Sequence, residues 1–255
     1  MCTLIVLDRL IPGYPVVAAA NRDEFHARPA SGPRQLGADP WVIAPRDEKA
    51  GGTWIGVSEG GFFAGLTNRP GGKEPDPSRR SRGEVTMRAL QLGSAERAIR
   101  EIGGLPRDRY NGFNLLCAGP DGAAIVTNGE PEGTRRLAPG LHILTNGGLN
   151  LPGDPKVSRI RGLLGDPASL ETVAAALTAL EGALGDHAGA AILERVCIHS
   201  DIYGTRSATL LALHGEDPGR SIYRHTEGPP CETPWKDASD LFKTMPLARA
   251  GGGVG

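Results

Sequence analysis

Short apolar runs bounded by Gly- and Pro-containing turns limit how this chain can fold more than any other feature of its sequence. The runs are too short for ordinary helices, and the Pro12-Gly13 and Glu59-Gly60-Gly61 segments between them are typical of β-hairpin turns. The predicted strands are residues 3–7, 14–20, 41–44, 53–58, 62–67, 113–118, 123–128, 141–146, 194–199, 207–214 and 221–226.

Apolar residues at helical spacing lie between these groups of strands. Residues 84–103 predict one or two helices broken at Gly93-Ser94, and residues 155–164 and 169–185 predict two more, the last with Ser169 as N-cap. Strands, then helices, then strands again favour an α+β fold built in layers. We expect one domain over residues 1–245 and a disordered tail over residues 246–255.

Charge and cysteine content exclude several classes of function. The 255 residues carry a formal net charge of −1, which argues against a nucleic-acid partner. No apolar segment approaches the roughly 18 to 20 residues that span a bilayer, and the N-terminus lacks the pattern of a secretory signal, so a cytoplasmic location is expected. The 4 cysteines show neither CxxC pairing nor zinc spacing, so we predict reduced thiols, no metal site and no cofactor. The oligomeric state stays open.

Cys2 is the first candidate for chemistry, because loss of Met1 would give one residue both a thiol and an α-amine. Initiator Met removal is favoured when the next side chain is small. A thiol pKa of about 8.5 and an amine pKa of about 7.7–8.0 both lie near neutral pH, so the amine can accept the thiol proton. Nucleophile and base are then one residue. Alternatively, Cys2 is simply a small residue at the start of a strand.

Polar side chains stand at the ends of several predicted strands. Arg22 and Asp23 follow one apolar run, either at the edge of a pocket or as a solvated surface pair. Asn68 and Asn146 each close a Leu-Thr-Asn sequence, where the amide could point at a developing oxyanion or could form a turn. Arg206 could lower the pKa of a nearby thiol, or it is an exposed hairpin residue.

Two further segments are candidates for holding a ligand. Trp54, in the sequence GGTWIG, is either a core residue or a ligand platform. Arg82 belongs with Arg79 and Arg80 to a basic loop that could meet a phosphate, a carboxylate or a haem propionate, or could be solvated. We assign Arg22, Trp54 and Arg82 to substrate binding.

The motifs MC, AANRDEF, GGTWIGVS, GLTN, YNGFNLL, LTN and YGTR follow one another over roughly residues 1–225. This ordered set resembles the NRDE family, of the Transport and Golgi organisation protein 2 type. The resemblance implies an N-terminal-nucleophile hydrolase-like fold, which is a four-layer αββα sandwich of two antiparallel sheets between helices.

A more distant similarity is to cysteine acylamidases of the choloylglycine hydrolase and penicillin acylase type. It implies that Cys2 is the nucleophile, that Asp23 orients the α-amine, that Asn68 and Asn146 bind the oxyanion, and that Arg206 is the late arginine of that catalytic set. Those hydrolases carry Arg-Asn-x-Asp, whereas here Arg22 directly precedes Asp23. Arg22 is therefore not carried over as the same side chain on the same strand face.

Three classes of function remain open at this point. The first is an amidase or acyltransferase that works through a Cys2 thioester. The second is a binding and trafficking protein that holds a haem, lipid or acyl-CoA molecule without turnover. The resemblance motivates it, because eukaryotic members of that family are associated with Golgi organisation, haem movement and lipid metabolism. A protein-interaction role with a degenerate pocket is the third alternative. The sequence does not name a substrate.

Overall fold

The computed structural model of the protein describes residues 2–71, 74–128 and 133–246. The strands are β1 (Cys2–Ile11), β2 (Tyr14–Phe25), β3 (Ala30–Ala38), β4 (Trp41–Asp47), β5 (Ile55–Ser58), β6 (Phe62–Asn68), β7 (Phe113–Gly119), β8 (Gly122–Asn128), β9 (Gly133–Leu137), β10 (Gly140–Leu144), β11 (Tyr203–Leu213), β12 (Ile222–Thr226) and β13 (Lys236–Asp237). The α-helices are α1 (Gly83–Leu92), α2 (Ala95–Gly103), α3 (Pro155–Leu164) and α4 (Val173–Leu184).

These strands form two antiparallel sheets with different topologies. The six-stranded sheet has the order β10-β1-β2-β11-β12-β13, so its centre is built from strands far apart in sequence. The seven-stranded sheet runs in chain order from β3 to β9, which makes it a meander. The seven-stranded sheet follows chain order because antiparallel neighbours can be joined by tight hairpin turns.

Strand periodicity sorts the side chains of the six-stranded sheet into two layers. On β1 and β2, even-numbered residues such as Leu4, Val6 and Ala18 lie in the core between the two sheets. Odd-numbered residues such as Ile5 and Val17 pack under α3 and α4. The alternation follows from the two-residue repeat of a β-strand, and it decides which end residues face which layer.

Helices cover the outer faces of both sheets. Helices α1 and α2 pack on the seven-stranded sheet, and α3 and α4 pack on the six-stranded sheet. Asp154 caps α3 by accepting from the backbone amides of Lys156 and Val157, and Pro155 occupies the first turn, where its missing N–H costs nothing. The four-layer αββα sandwich is therefore confirmed. No helix in the described residues is long and apolar enough to cross a membrane.

Most predicted strands are present, but one is wrong and three were missed. Residues 194–199 form no strand, because the Cys197 N–H donates to a loop carbonyl of Asp186 and the Ile198 N–H donates to the Thr205 hydroxyl. Two missed strands, β3 and β9, are the two edges of the seven-stranded sheet, and the third, the two-residue β13, is an edge of the six-stranded sheet. Neither β3 nor β9 contains a buried residue, so both lack the apolar pattern that reveals a strand.

The helix predictions are correct apart from one terminus. The break at Gly93-Ser94 separates α1 from α2, and residues 155–164 match α3. The last helix begins at Val173 with Thr172 as its N-cap, whereas Ser169 lies in a short 3-10 turn. Of the predicted tail, residues 246–255, only residue 246 belongs to the described part of the chain. The single-domain assignment stays a prediction.

Candidate active site

Cys2 and Arg22 are directly opposite each other on β1 and β2. Both are even-numbered, so both side chains face the layer between the sheets, whereas Asp23 faces the helices. The positions one and three residues before Asp23 share a face for the same reason. Arg22 therefore points to the same side of β2 as residue 20, which is the arginine position of the Arg-Asn-x-Asp pattern and is an alanine here. The expectation that Arg22 lies on the other face of the strand is wrong.

Arg22 is almost fully buried, with 5% of its surface exposed. Its guanidinium carbon lies 4.3 Å from the centre of the Trp54 ring, a cation–π arrangement. Carboxylate oxygens of Asp47 and Glu24 lie 3.6 and 3.9 Å from the Arg22 Nη2 atom. Two acids and an aromatic face thus compensate this buried charge, and the same contacts fix the guanidinium on the Cys2 face.

Asn146 connects the backbone of Cys2 to the seven-stranded sheet. Its Oδ1 atom accepts from the Cys2 backbone nitrogen at 3.0 Å, and its Nδ2 atom donates to the Asn68 carbonyl at 2.6 Å. The side chain is buried, and the nature of its two partners fixes which end is the oxygen. Asn146 therefore holds the nitrogen that becomes the α-amine if Met1 is removed.

The two Leu-Thr-Asn segments meet although one lies in each half of the sandwich. The Thr67 hydroxyl donates to the Thr145 carbonyl at 3.0 Å. Asn114 is fully buried beside them and donates to the Thr67 hydroxyl at 3.2 Å, while its oxygen accepts from Arg69. Asn114 thus cross-links the strand ends that carry Asn68 and Asn146.

Asp23 is buried on the helix side of β2, behind Cys2. Its Oδ1 atom accepts from the Thr205 hydroxyl at 2.7 Å. Burial raises the pKa of the Asp23 carboxyl, and the buried Lys156 ammonium and the Thr205 hydrogen bond oppose that rise. Lys156, on α3, is a charged neighbour of the site that sequence reasoning missed, because it lies within an amphipathic helix and far from every motif.

The Cys2 thiol experiences opposing influences from its surroundings. Burial raises the pKa of the thiol, and the nearby Asp23 carboxylate raises it further. A hydrogen bond from the Asp23 backbone N–H and the charge of Arg22 lower the pKa. Burial outweighs the other influences and raises the pKa of the thiol overall. Arg22, opposite Cys2 on the neighbouring strand, is one of the groups that favour the thiolate.

A cavity of about 490 Å³ opens in front of Cys2 between the ends of the two sheets. Asn111 shapes its outer wall by exchanging two hydrogen bonds with the backbone of Asp76, which fixes the basic loop. Among the described residues that line the cavity, those with a cationic side chain outnumber those with an anionic one. The cations are Arg22, Arg28, Lys49, Arg79, Arg80 and Arg82, and the anions are Asp23, Glu24, Asp47 and Asp76.

The structure brings most predicted site residues together, with one exception. Cys2, Asp23 and Asn68 line the cavity together with Arg22, Trp54 and Arg82, and Asn146 lies directly behind Cys2. Arg206 is not among the lining residues that the structure describes.

Arg206 is instead the extra residue of a β-bulge in β11. Thr205 is opposite Asp23 and Ser207 is opposite Arg22, so Arg206 has no partner on β2. A bulge re-aims the side chains on either side of it, and here it lets Thr205 meet Asp23.

Four potential metal ligands lie outside this cavity. The ligand atoms of His187, Cys197, His199 and Cys231 lie within 4.8 Å of one another. The prediction that the cysteines form no metal-ligating group rested on their spacing in sequence. Spacing could not reveal a cluster assembled from three separate segments.

The comparison with known proteins identifies relatives along most of the chain. Residues 1–226 match the family described as Transport and Golgi organisation 2. The Transport and Golgi organization protein 2 homolog of Bos taurus is 32% identical over 235 residues, which covers 80% of this chain and 83% of the bovine protein.

Two solved structures share the fold at low sequence identity. The conjugated bile acid hydrolase of Clostridium perfringens, in a mutant form, aligns with a TM-score of 0.57 at 12% identity, covering 94% of this chain and 93% of the hydrolase. The penicillin V acylase of Agrobacterium tumefaciens aligns with a TM-score of 0.55 at 13% identity, covering 97% of this chain and 90% of the acylase. At such identities the likeness shows the fold alone.

Proposed function

The chain belongs to the Transport and Golgi organisation 2 family and has an N-terminal-nucleophile hydrolase-like fold, and on that premise we propose that it hydrolyses a linear amide or related acyl bond through a Cys2 thioester. The activity requires removal of Met1, which frees the α-amine of Cys2. The observation that carries the proposal is the placement of Cys2. Its nitrogen is held by Asn146 and its side chain faces the cavity beside a buried arginine.

The first half of the reaction forms the thioester. The Cys2 α-amine accepts the thiol proton, and the Arg22 guanidinium stabilises the thiolate. The thiolate attacks the acyl carbon, and the amide group of Asn68 donates to the oxyanion. The protonated α-amine then passes its proton to the leaving amine as the C–N bond breaks.

The second half regenerates the enzyme. A water molecule loses a proton to the α-amine and attacks the thioester carbon, with Asn68 again donating to the oxyanion. The C–S bond breaks, the sulfur recovers its proton, and a carboxylic acid leaves. Asn146 and Asp23 act as positioning residues: the first fixes the nucleophile nitrogen, and the second presents its backbone N–H to the sulfur.

The cavity walls indicate an anionic substrate. Arg79 and Arg82 each have one nitrogen bound to a backbone carbonyl, of Tyr110 and Gly112 respectively, which aligns the guanidinium groups at the cavity edge. Arginine in such a position suits a carboxylate or phosphate at the end of the substrate that is remote from the scissile bond. Trp54 offers its remaining surface to the apolar part of an acyl chain.

The test compares two forms of the same chain. In the first, a cleavable N-terminal fusion is removed so that Cys2 is the first residue; in the second, Met1 is retained, as verified by intact mass. An activated acyl ester should acylate the first form at its N-terminal peptide and leave the second form at the level of Cys2→Ala. Equal acylation of the two forms at that peptide would refute the α-amine mechanism.

A second candidate function is supported by one feature of the same cavity. Asn146, one of the two expected oxyanion donors, already donates to the Asn68 carbonyl and does not line the cavity. A site with a single free amide and many arginines also suits the storage or transfer of an anionic molecule such as haem, a lipid or acyl-CoA. Titration with haem and with acyl-CoA distinguishes the candidates, because this function predicts saturable binding that Cys2→Ala leaves intact and no turnover.

A further inference from the structure

A cluster of two cysteines and two histidines joins three segments of irregular structure. Cys197 and His199 come from the irregular segment before β11, His187 from the loop after α4, and Cys231 from the loop after β12. Cys197 is buried, His199 half-buried, and His187 and Cys231 exposed. None of the four lines the cavity in front of Cys2.

The distances within the cluster match a tetrahedral zinc site. Zn–S bonds of about 2.3 Å and Zn–N bonds of about 2.0–2.1 Å imply tetrahedral edges of about 3.8 Å between two sulfurs and about 3.6 Å between sulfur and nitrogen. The two sulfurs are 3.7 Å apart. The Nε2 atom of His199 is 3.5 Å from the Cys197 sulfur and 3.3 Å from the Cys231 sulfur.

The surroundings of His199 add an independent observation. While Nε2 faces the two sulfurs, the Nδ1 atom on the other side of the ring lies 3.9 Å from the Glu232 carboxylate. This distance is longer than a hydrogen bond, but a negative charge on that side of a ligating histidine raises the basicity of the ring. The His187 ring lies 4.9 Å from the His199 ring, which brings in the fourth ligand.

We propose that His187, Cys197, His199 and Cys231 bind one zinc ion in a closed, structural Cys₂His₂ site. Two thiolates with two imidazoles form the donor set that favours Zn²⁺ over Mg²⁺ or Ca²⁺. Four protein ligands leave no open position for a substrate, so the ion stabilises structure and does no chemistry. Both thiols lose their protons when the ion binds.

The site links segments that have little regular structure to the strand that carries Asp23. The only regular structure in residues 185–202 is one short 3-10 turn. A bound metal ion can hold such an irregular segment in one conformation. Next to Cys197, the Ile198 N–H donates to the Thr205 hydroxyl at 2.9 Å, and that hydroxyl donates to Asp23. The ion therefore holds in place the support of Asp23.

Metal analysis of the purified full chain tests the proposal. Protein prepared without chelators and under reducing conditions should contain about one zinc per chain. After removal of the metal by a chelator, Co²⁺ alone should restore one equivalent and give the intense d–d absorption of tetrahedral cobalt together with a thiolate charge-transfer band.

Matched variants locate the site. Cys231→Ser should lose the stoichiometric metal while remaining folded, because Cys231 is exposed, and Cys117→Ser, at a buried thiol elsewhere, should keep it. Full Co²⁺ binding by Cys231→Ser, or failure of the wild type to bind Zn²⁺ or Co²⁺, would overturn the proposal. A Cys197–Cys231 disulfide that survives purification in the presence of reductant would overturn it as well, because the sulfurs of a disulfide cannot bind the ion as thiolates.

Discussion

The Cys2 side chain and the Arg22 guanidinium occupy a directly opposed cross-strand pair, on the face of the six-stranded sheet that meets the second sheet. Because β-strand side chains alternate, the adjacent Asp23 side chain points to the opposite face, where it accepts a hydrogen bond from the Thr205 hydroxyl on β11. Arg22, whose charge acts on the thiol, and Asp23, whose carboxylate supports the end of β2, are thus neighbours in sequence but lie on opposite faces of the sheet.

Replacing Arg22 should make Cys2 a weaker nucleophile. The Arg22 charge lowers the pKa of the thiol, so Arg22→Gln should move the pH midpoint of Cys2 alkylation upward. At a fixed pH below the midpoint, each pH unit of that shift lowers the thiolate fraction about tenfold. The measurement is the rate of iodoacetamide labelling at the N-terminal peptide against pH. Arg80→Gln, at the cavity edge, is the control and should leave the midpoint unchanged; an unshifted midpoint in Arg22→Gln would show that the cation does not act on the thiol.

The two asparagines should separate stability from chemistry. Asn146→Leu leaves the buried Cys2 N–H and Asn68 carbonyl without partners, which should lower the unfolding free energy by about 2–4 kcal/mol. Asn68→Leu removes the cavity-lining amide, so acyl hydrolysis should fall with little loss of stability. Urea denaturation and acylation kinetics on both variants give the comparison. A stable Asn146→Leu protein would mean that the bridge does not hold Cys2.

Anionic ligands should protect Cys2. If the arginines at the cavity edge bind a carboxylate, hexanoate should slow alkylation of Cys2 whereas neutral hexanamide should not. Arg82→Gln should weaken this protection severalfold, and added salt should weaken it in the wild type. Equal protection by both molecules would indicate that apolar contact with Trp54 dominates recognition.

Acid should destabilise the fold through His225. This histidine is buried, and burial lowers its pKa to about 4, with Glu227 opposing and Lys236 reinforcing the shift. The unfolded chain therefore binds more protons between about pH 6.5 and pH 4, so stability falls as the pH drops through that range, by up to about 3 kcal/mol at the acid end.

The pH dependence of urea unfolding checks this assignment. His225→Gln should flatten the slope of unfolding free energy between pH 7 and pH 5, whatever its effect at neutral pH. His26→Gln, at an exposed histidine, should leave the slope as in the wild type. An undiminished slope in His225→Gln would assign the acid sensitivity to another group.

Most strands were predictable because hairpins are local features. Residues 14–20 and 62–67 show apolar runs with turn residues on both sides, and both lie in strands with buried centres. The edge strands β3 and β9 and the irregular segment 194–199 were not predictable, because solvent or a loop, rather than a second buried face, surrounds them.

The sequence by itself determined the strand alternation, the order of the motifs and the chemical identity of Cys2, Asp23 and the two Thr-Asn strand ends. Only the tertiary structure decided that Arg22, and not Arg206, faces the thiol, that Asn146 holds the Cys2 nitrogen, and that His187 and Cys231 meet. The reason is physical. Alternation and turns depend on neighbouring residues, whereas these contacts join positions far apart in the chain and exist only once two sheets and their covering segments have packed.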